Sequence, residues 1–227
     1  MSQIKDTEVE HFFNLKNQAS MPSDHKAYLV KLKNKGFEPN VIYDIGACVL
    51  HWTSVAKELW PNAEYIVFDA LPKAKAIYES ENFKHYVGVL GDEDGKQVSF
   101  YQNYRFPTGS SYYREIGHDN GSLFPDNTAR TYNMKTLDTI VREMGFPPPD
   151  LIKIDVQGAE KDVIFGAQTT LKSVQHLIVE MQHTEYNLNA PKANETLPYI
   201  ESFGFKCVAP MFCNNGPDAD YGFERVV

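Results

Sequence analysis

Cysteine is scarce in this sequence. Three residues, Cys48, Cys207 and Cys213, are spread over 227 positions. They are too few and too scattered for a disulfide framework or a zinc site. Basic residues are outnumbered: 22 Lys and Arg face 30 Asp and Glu, for a formal net charge of −8. A phosphate backbone calls for a basic footprint, so no nucleic-acid partner is expected. No apolar run reaches the length of a membrane-crossing helix, so no membrane span is expected. The opening residues, MSQIKDTEVEHFF, contain no apolar h-region, so no signal peptide is expected either. These absences point to a reducing, cytoplasmic setting. There is no internal repeat, no low-complexity tract, and no Gly-x-Gly-x-x-Gly turn of the kind that cradles a dinucleotide pyrophosphate. A nicotinamide oxidoreductase is disfavoured on that ground.

What is present suits one large domain. Hydrophobic residues make up 42% and charged residues 23%, ordinary values for a globular protein. Residues 1–36 read as an N-terminal helical extension, with 1–22 a short helix or a loose arm. Ser23 or Asp24 can cap a helix that Gly36 ends. The domain proper is 37–227. Val41-Ile42-Tyr43 is an apolar strand that turns at Asp44-Ile45-Gly46-Ala47 into a helix with Trp52, Val55, Ala56 and Leu59 on one face. Tyr65–Phe68 is a second strand, Pro72 opens a second helix to about Ser80, and His85–Leu90 is a third strand. This alternation predicts a parallel sheet with helices on both faces. Gln97–Gln102 and Thr131–Lys135 read as short strands on either side of a long loop, 103–130, placed on the acceptor side. Leu137, Ile140, Val141 and Met144 mark a helix, Leu151–Val156 a strand, Ala159–Lys172 a helix, and His176–Met181 a strand. A helix at Ala193–Phe203 precedes Phe205–Ala209 and Tyr221–Val227, a pair close enough to form a hairpin. The sheet is therefore expected to be mostly parallel with an antiparallel edge strand.

The chemistry gathers at strand ends. In an open α/β sheet the ligand site lies outside the carboxyl ends of the strands. Gly46 allows close backbone approach, and Asp44 adds a carboxylate that repels a pyrophosphate and attracts an ammonium. Asp69 ends the second strand, where an acid accepts both hydroxyls of a ribose. A nucleoside with a cationic tail satisfies both, which describes S-adenosylmethionine. Asp155, at the end of the Leu151–Val156 strand, either takes a proton or binds a metal, or else caps the following helix. Lys153 either reaches a substrate or pairs with an acid. His183, beyond the His176–Met181 strand, is either a base near neutral pH or a bland surface or core histidine. Asp155, Glu180 and His183 together form a weak candidate for a divalent metal, and no metal is assigned. Tyr112, Tyr113 and Arg114 in the long loop are either a lid or anchors.

These pieces resemble the FkbM-type family of S-adenosylmethionine-dependent methyltransferases. The matching segments are Asp44-Ile45-Gly46-Ala47, Val67-Phe68-Asp69, Gly88-Val89-Leu90-Gly91-Asp92-Glu93-Asp94-Gly95, Thr136-Leu137-Asp138, and above all Ile152-Lys153-Ile154-Asp155-Val156-Gln157-Gly158-Ala159-Glu160. The resemblance covers about residues 37–183 and implies a Rossmann-like, seven-stranded methyltransferase fold. It implies S-adenosyl-L-methionine as cofactor, bound by Asp44, Gly46, Ala47, Asp69 and Asp92, with Asp92 at the adenine and Glu93 or Asp94 the alternatives there. It implies methylation of a hydroxyl on a small-molecule or glycan acceptor, and for that reaction the strand-end residues Asp155, Lys153 and His183 are the candidate catalytic residues. A homo-oligomer is compatible with it. Three positions depart from the family pattern. Leu50 stands where a glycine is usual, which would strain a left-handed backbone by about 1–2 kcal/mol and narrow the methionine end of the pocket. Gln157 replaces a glutamate, and Asp69 is one methylene shorter than the usual acid. Leu50 and Gln157 motivate an alternative, a non-catalytic S-adenosylmethionine-binding or interaction module on the same fold.

Overall fold

The computed structural model describes residues 7–18, 21–118 and 121–226. Residues 1–6 and 19–20 of the expected extension, 119–120 of the long loop, and Val227 of the expected last strand lie outside the described residues. The parallel core is built from β1 (Val41–Ile45), β2 (Glu64–Asp69), β3 (Lys84–Val87), β6 (Leu151–Ile154) and β7 (His176–Gln182). Two more strands, β8 (Phe205–Asn214) and β9 (Asp218–Arg225), complete a seven-stranded sheet in the order β3-β2-β1-β6-β7-β9-β8. β9 runs antiparallel to both β7 and β8, so this hairpin forms the antiparallel edge. The strands between 97 and 133, β4 (Gln97–Tyr101) and β5 (Ala129–Asn133), pair with each other in a separate two-stranded sheet and clasp the base of the long loop.

Strand alternation decides which face each side chain meets. Tyr43 and Ile45 of β1, Ile152 and Ile154 of β6, and Leu177 and Val179 of β7 lie in one apolar cluster with residues of α5 (Leu137–Met144), α6 (Glu160–Phe165) and α7 (Ala193–Ser202). Ile42, Leu151 and Ile178 lie in another, with α2 (Ser23–Asn34) and α3 (His51–Leu59). On that second face the alternation also places Asp44, Lys153 and Glu180. A third cluster joins Leu50 and Leu71 to α4 (Lys75–Ser80) and to Phe12 of α1 (Thr7–Gln18). Phe12 is fully buried, worth about 1.5–3 kcal/mol, so this part of the extension is a docked helix.

One expected helix is shorter than its pattern. The apolar positions from Ala159 to Lys172 suggest one helix, yet α6 stops at Phe165 and a separate 3-10 turn spans Thr170–Ser173. Gly166 packs so tightly on Gly91 that an added Cβ would sit 2.1 Å from its carbonyl oxygen. The Asp138 carboxylate then accepts from the backbone N–H groups of Thr169 and Thr170 and restarts the chain. Side-chain capping has outcompeted helix continuation.

Candidate active site

A cavity of about 870 Å³, counted out to its mouth, opens outside the carboxyl ends of β1, β2, β6 and β7. That is within the range of small-molecule and cofactor sites. Gly46 and Cys48 form one part of its wall, Asp69 another, and Asp155, Gln157 and Glu180 a third, while Phe100, Ser110 and Tyr112 close it from the loop side.

Gly46 has φ +85°, and a Cβ on it would lie 1.7 Å from the carbonyl oxygen of Asp155. Its smallness is required by the backbone of a neighbouring strand end as well as by any ligand. The turn then runs through two non-glycine residues in left-handed conformation, Cys48 at φ 45° and Leu50 at φ 69°. The Leu50 strain expected from the sequence is therefore present. The narrowing is not: Leu50 is 1% exposed and packs in the cluster with Phe12, outside the cavity wall.

Asp69 accepts from the backbone N–H of Cys48 at 2.7 Å on one oxygen and from that of Leu71 at 2.8 Å on the other. Each carboxylate oxygen keeps a second lone pair, so the wall can still accept from two vicinal hydroxyls. Burial raises the Asp69 carboxyl to about 6 against those stabilising bonds.

The Lys153–Glu160 string folds on its own acid. Glu160 is buried, and its Oε1 accepts from the N–H of Val156 at 2.9 Å and of Gly158 at 3.1 Å. Those bonds hold a turn in which Gln157 and Gly158 have φ 58° and 96°. The turn aims Gln157 so that its amide donates to Asp155 Oδ1 at 3.0 Å and to Glu180 Oε2 at 2.6 Å. Lys153 Nζ donates to Asp155 Oδ2 at 2.6 Å. Burial raises the Asp155 carboxyl, but the Lys153 charge and the surrounding hydrogen bonds outweigh it and hold the group at about 2. Glu180 goes the other way. Burial, then the charges of Asp155, Asp218 and Asp220, push it well above the usual carboxylate range. Two neighbouring acids with opposed shifts are the pattern of a site that divides roles between them.

The other sequence candidates are distributed unevenly. Asp44 is buried behind the wall, opposite Lys153 in the β1–β6 register. It accepts from Thr53 Oγ1 at 2.5 Å, and its other oxygen has no partner in the protein. Lys153 also stands behind the wall, and Ala47 is buried beside it. Asp92 pairs with Lys96 at 2.9 Å at the surface and does not line the cavity. His183 faces the Tyr221 hydroxyl at 3.5 Å, also outside the wall, so Asp155, Glu180 and His183 do not converge on one point of it. The tyrosines of the long loop act as anchors and as wall together. Tyr112 and Tyr113 both donate to Asp162 Oδ2 at 2.9 Å, and Tyr112 lines the cavity. Arg114 pairs with Asp126.

A family model described as "Methyltransferase FkbM domain" matches residues 44–207. The chain belongs to the FkbM methyltransferase family. A curated relative, the AMB antimetabolite synthetase AmbE of Pseudomonas aeruginosa, is 23% identical over 201 residues; the match covers 73% of this chain and 9% of that protein. The chain thus spans about a tenth of the length of this relative. Among solved structures, cofactor-bound Rv0187 from MTB superposes with a TM-score of 0.56 at 10% identity, covering 99% of this chain and 92% of that one. An O-methyltransferase from Bacillus cereus in complex with SAH gives 0.50 at 14% identity, covering 100% and 94%. These likenesses show the shared Rossmann-like fold. S-adenosylmethionine, the cofactor expected from the sequence, agrees with membership of this methyltransferase family. The FkbM-type chain lacks any helix among its described residues that is long and apolar enough to cross a membrane.

Glu180 and Gln157 are the wall residues that sequence reasoning ranked too low. Their signal is alternation: Glu180 shares the strand parity of Ile178, and β7 pairs with β6 so that Lys153 faces Ile178. Only strand order turns that parity into proximity.

Proposed function

We propose that this FkbM-family chain transfers the methyl group of S-adenosylmethionine to a hydroxyl oxygen of a small-molecule or sugar acceptor. The observation that carries the reading is Asp69: a half-buried carboxylate at the end of β2, pinned by two backbone N–H groups and lining a cavity of nucleoside size. When bound, the cofactor supplies an electrophilic methyl and leaves with the sulfur lone pair as adenosylhomocysteine. The protein has to hold the acceptor oxygen in line and exclude water, which can supply about 7–11 kcal/mol. The wall of Phe100, Pro107 and Tyr112 gives the water-poor side.

The hydroxyl proton needs an acceptor. Lys153 does not suit: it is buried behind the wall, and the charges of Asp155, Asp44 and Asp220 outweigh burial and keep it protonated. Asp155 is held too acidic by Lys153 to be a strong base. Glu180 lines the cavity and is raised, so it is the better proton acceptor, with Gln157 fixing its orientation. This assignment replaces His183. The motive for a non-catalytic module weakens with Leu50 packed away from the cavity.

The test is a thermal-shift titration with adenosylhomocysteine against NADH, followed by mass-spectrometric detection of adenosylhomocysteine formed with a panel of hydroxylated acceptors. At a hundred times its dissociation constant the ligand adds about 2.7 kcal/mol. A shift with adenosylhomocysteine alone, lost in Asp69→Ala, is expected. No shift, or the same shift in Asp69→Ala, overturns the reading.

A further inference from the structure

Beside the cavity, on the same face of the sheet, three buried side chains from distant parts of the chain meet. His25 comes from α2, Cys213 from β8 and Asp220 from β9. They are 3%, 3% and 2% exposed. One donor atom from each lies within 4.8 Å of the other two, and His25 Nε2 stands 2.9 Å from Asp220 Oδ2. Cys213 is opposite Asp220 in the β8–β9 register, and Asp220 is opposite Glu180 in the β7–β9 register.

We propose that His25, Cys213 and Asp220 bind a divalent cation of the zinc class, which pins α2 to the β8–β9 hairpin. A nitrogen, a sulfur and a carboxylate oxygen form a donor set suited to zinc and ill suited to magnesium or calcium. Tetrahedral zinc holds sulfur and nitrogen about 3.6 Å apart, so closure on an ion draws the outermost atoms inward by about 1 Å, within reach of side-chain rotation.

Two further observations point to a ligand. His25 Nδ1 is buried without a partner, as is Asp218 Oδ1 close by. The unpartnered carboxylate oxygen is the telling one: Asp218 is close enough to act electrostatically on both Cys213 and Asp220, and a buried carboxylate oxygen without a donor is costly unless a cation or another donor meets it. The hairpin is also distorted to present the thiol. β8 slips register twice between Cys207 and Cys213, and Met211 within the second slip takes φ 48°. Bulges of this kind re-aim side chains, and here the result is Cys213 facing Asp220. The local charge has the matching sign. The carboxylates of Asp220, Asp24 and Asp218 all lie close enough to Cys213 to act on it electrostatically. A bound cation offsets that negative charge and displaces the thiol proton.

Sequence spacing hides such a site, because 188 positions separate His25 from Cys213. It is separate from the cofactor wall and stands whether or not the methyl-transfer reading does.

The full chain, stripped with chelator and dialysed, is titrated with Co²⁺ and read in the near ultraviolet, where a thiolate ligand gives a charge-transfer band. The expected result is one equivalent of cobalt with that band, displaced by Zn²⁺. The band is lost in Cys213→Ser and kept in Cys48→Ser and Cys207→Ser. His25→Gln weakens cobalt binding at least tenfold. Zn²⁺ raises the melting temperature of the parent and does so by less than half as much in Cys213→Ser. Circular dichroism of each variant shows that it is folded. Absence of the band, its survival in Cys213→Ser, or cobalt binding without a thiolate band that is lost in Glu180→Gln overturns the proposal, the last by placing the ion among the cavity acids.

Discussion

The carbonyl oxygen of Asp155 occupies the place where a side chain on Gly46 would begin, 1.7 Å from an ideal Cβ. This contact joins the turn after β1 to the end of β6, the two segments that carry the family string. Gly46→Ala must either push β6 away or leave the left-handed conformation. The expected loss is about 2–4 kcal/mol, from overpacking and backbone strain together, with adenosylhomocysteine binding weakened in parallel. Urea unfolding alongside calorimetry checks it; an unchanged midpoint would refute it.

Leu50 tests strain against packing. Leu50→Gly relieves a left-handed leucine, worth about 1–2 kcal/mol, and removes a fully buried side chain, worth about 2–5 kcal/mol. The packing loss wins, so the variant is less stable by about 1–3 kcal/mol. Because Leu50 lies outside the cavity wall, affinity for adenosylhomocysteine stays within about twofold. A marked gain in affinity would show that leucine does obstruct the pocket.

Asp69 gives the binding its pH dependence. Its carboxyl is raised by burial to about 6, so below pH 6 it carries a proton before ligand arrives. Accepting two hydroxyls favours the ionised form, and that proton must then leave. Affinity for adenosylhomocysteine is therefore level above about pH 7 and falls below pH 6, by up to about tenfold per unit. Calorimetry from pH 5 to 8 reads it directly, and in Asp69→Asn the slope disappears along with most of the affinity.

Gln157 separates two carboxylates by donating to both. Gln157→Glu restores the residue more usual in the family but removes two donors and adds a third charge beside Asp155 and Glu180. A destabilisation of about 2 kcal/mol at pH 8 is expected. The sign with pH follows from Glu180, whose carboxyl burial and then neighbouring acids raise. Carboxyls raised on folding oppose the folded state once they ionise and cease to do so when protonated. The gap between variant and parent therefore narrows as pH falls from 8 towards 5. A gap that widens on acidification contradicts the arrangement.

The order of strands and helices, the parallel character of the sheet, and Asp69 at the end of β2 follow from the sequence alone. They are local facts: apolar periodicity fixes the elements, and the residue that ends an apolar run in a parallel sheet sits at the ligand face. The strongest string, Lys153 to Glu160, was equally plain as a string. What each of its residues does was not. Glu160 folds the turn, Gln157 bridges two acids, and Lys153 stands behind the wall, because those roles depend on which strands are neighbours. The same holds for Asp44 and Asp92, which the sequence sets near a cofactor and the fold turns to Thr53 and to Lys96. It holds most strongly for His25, Cys213 and Asp220. Nothing local relates a residue on α2 to two on the last hairpin. Their meeting required β9 to insert between β7 and β8, a long-range pairing that tertiary packing decides and no sequence period encodes.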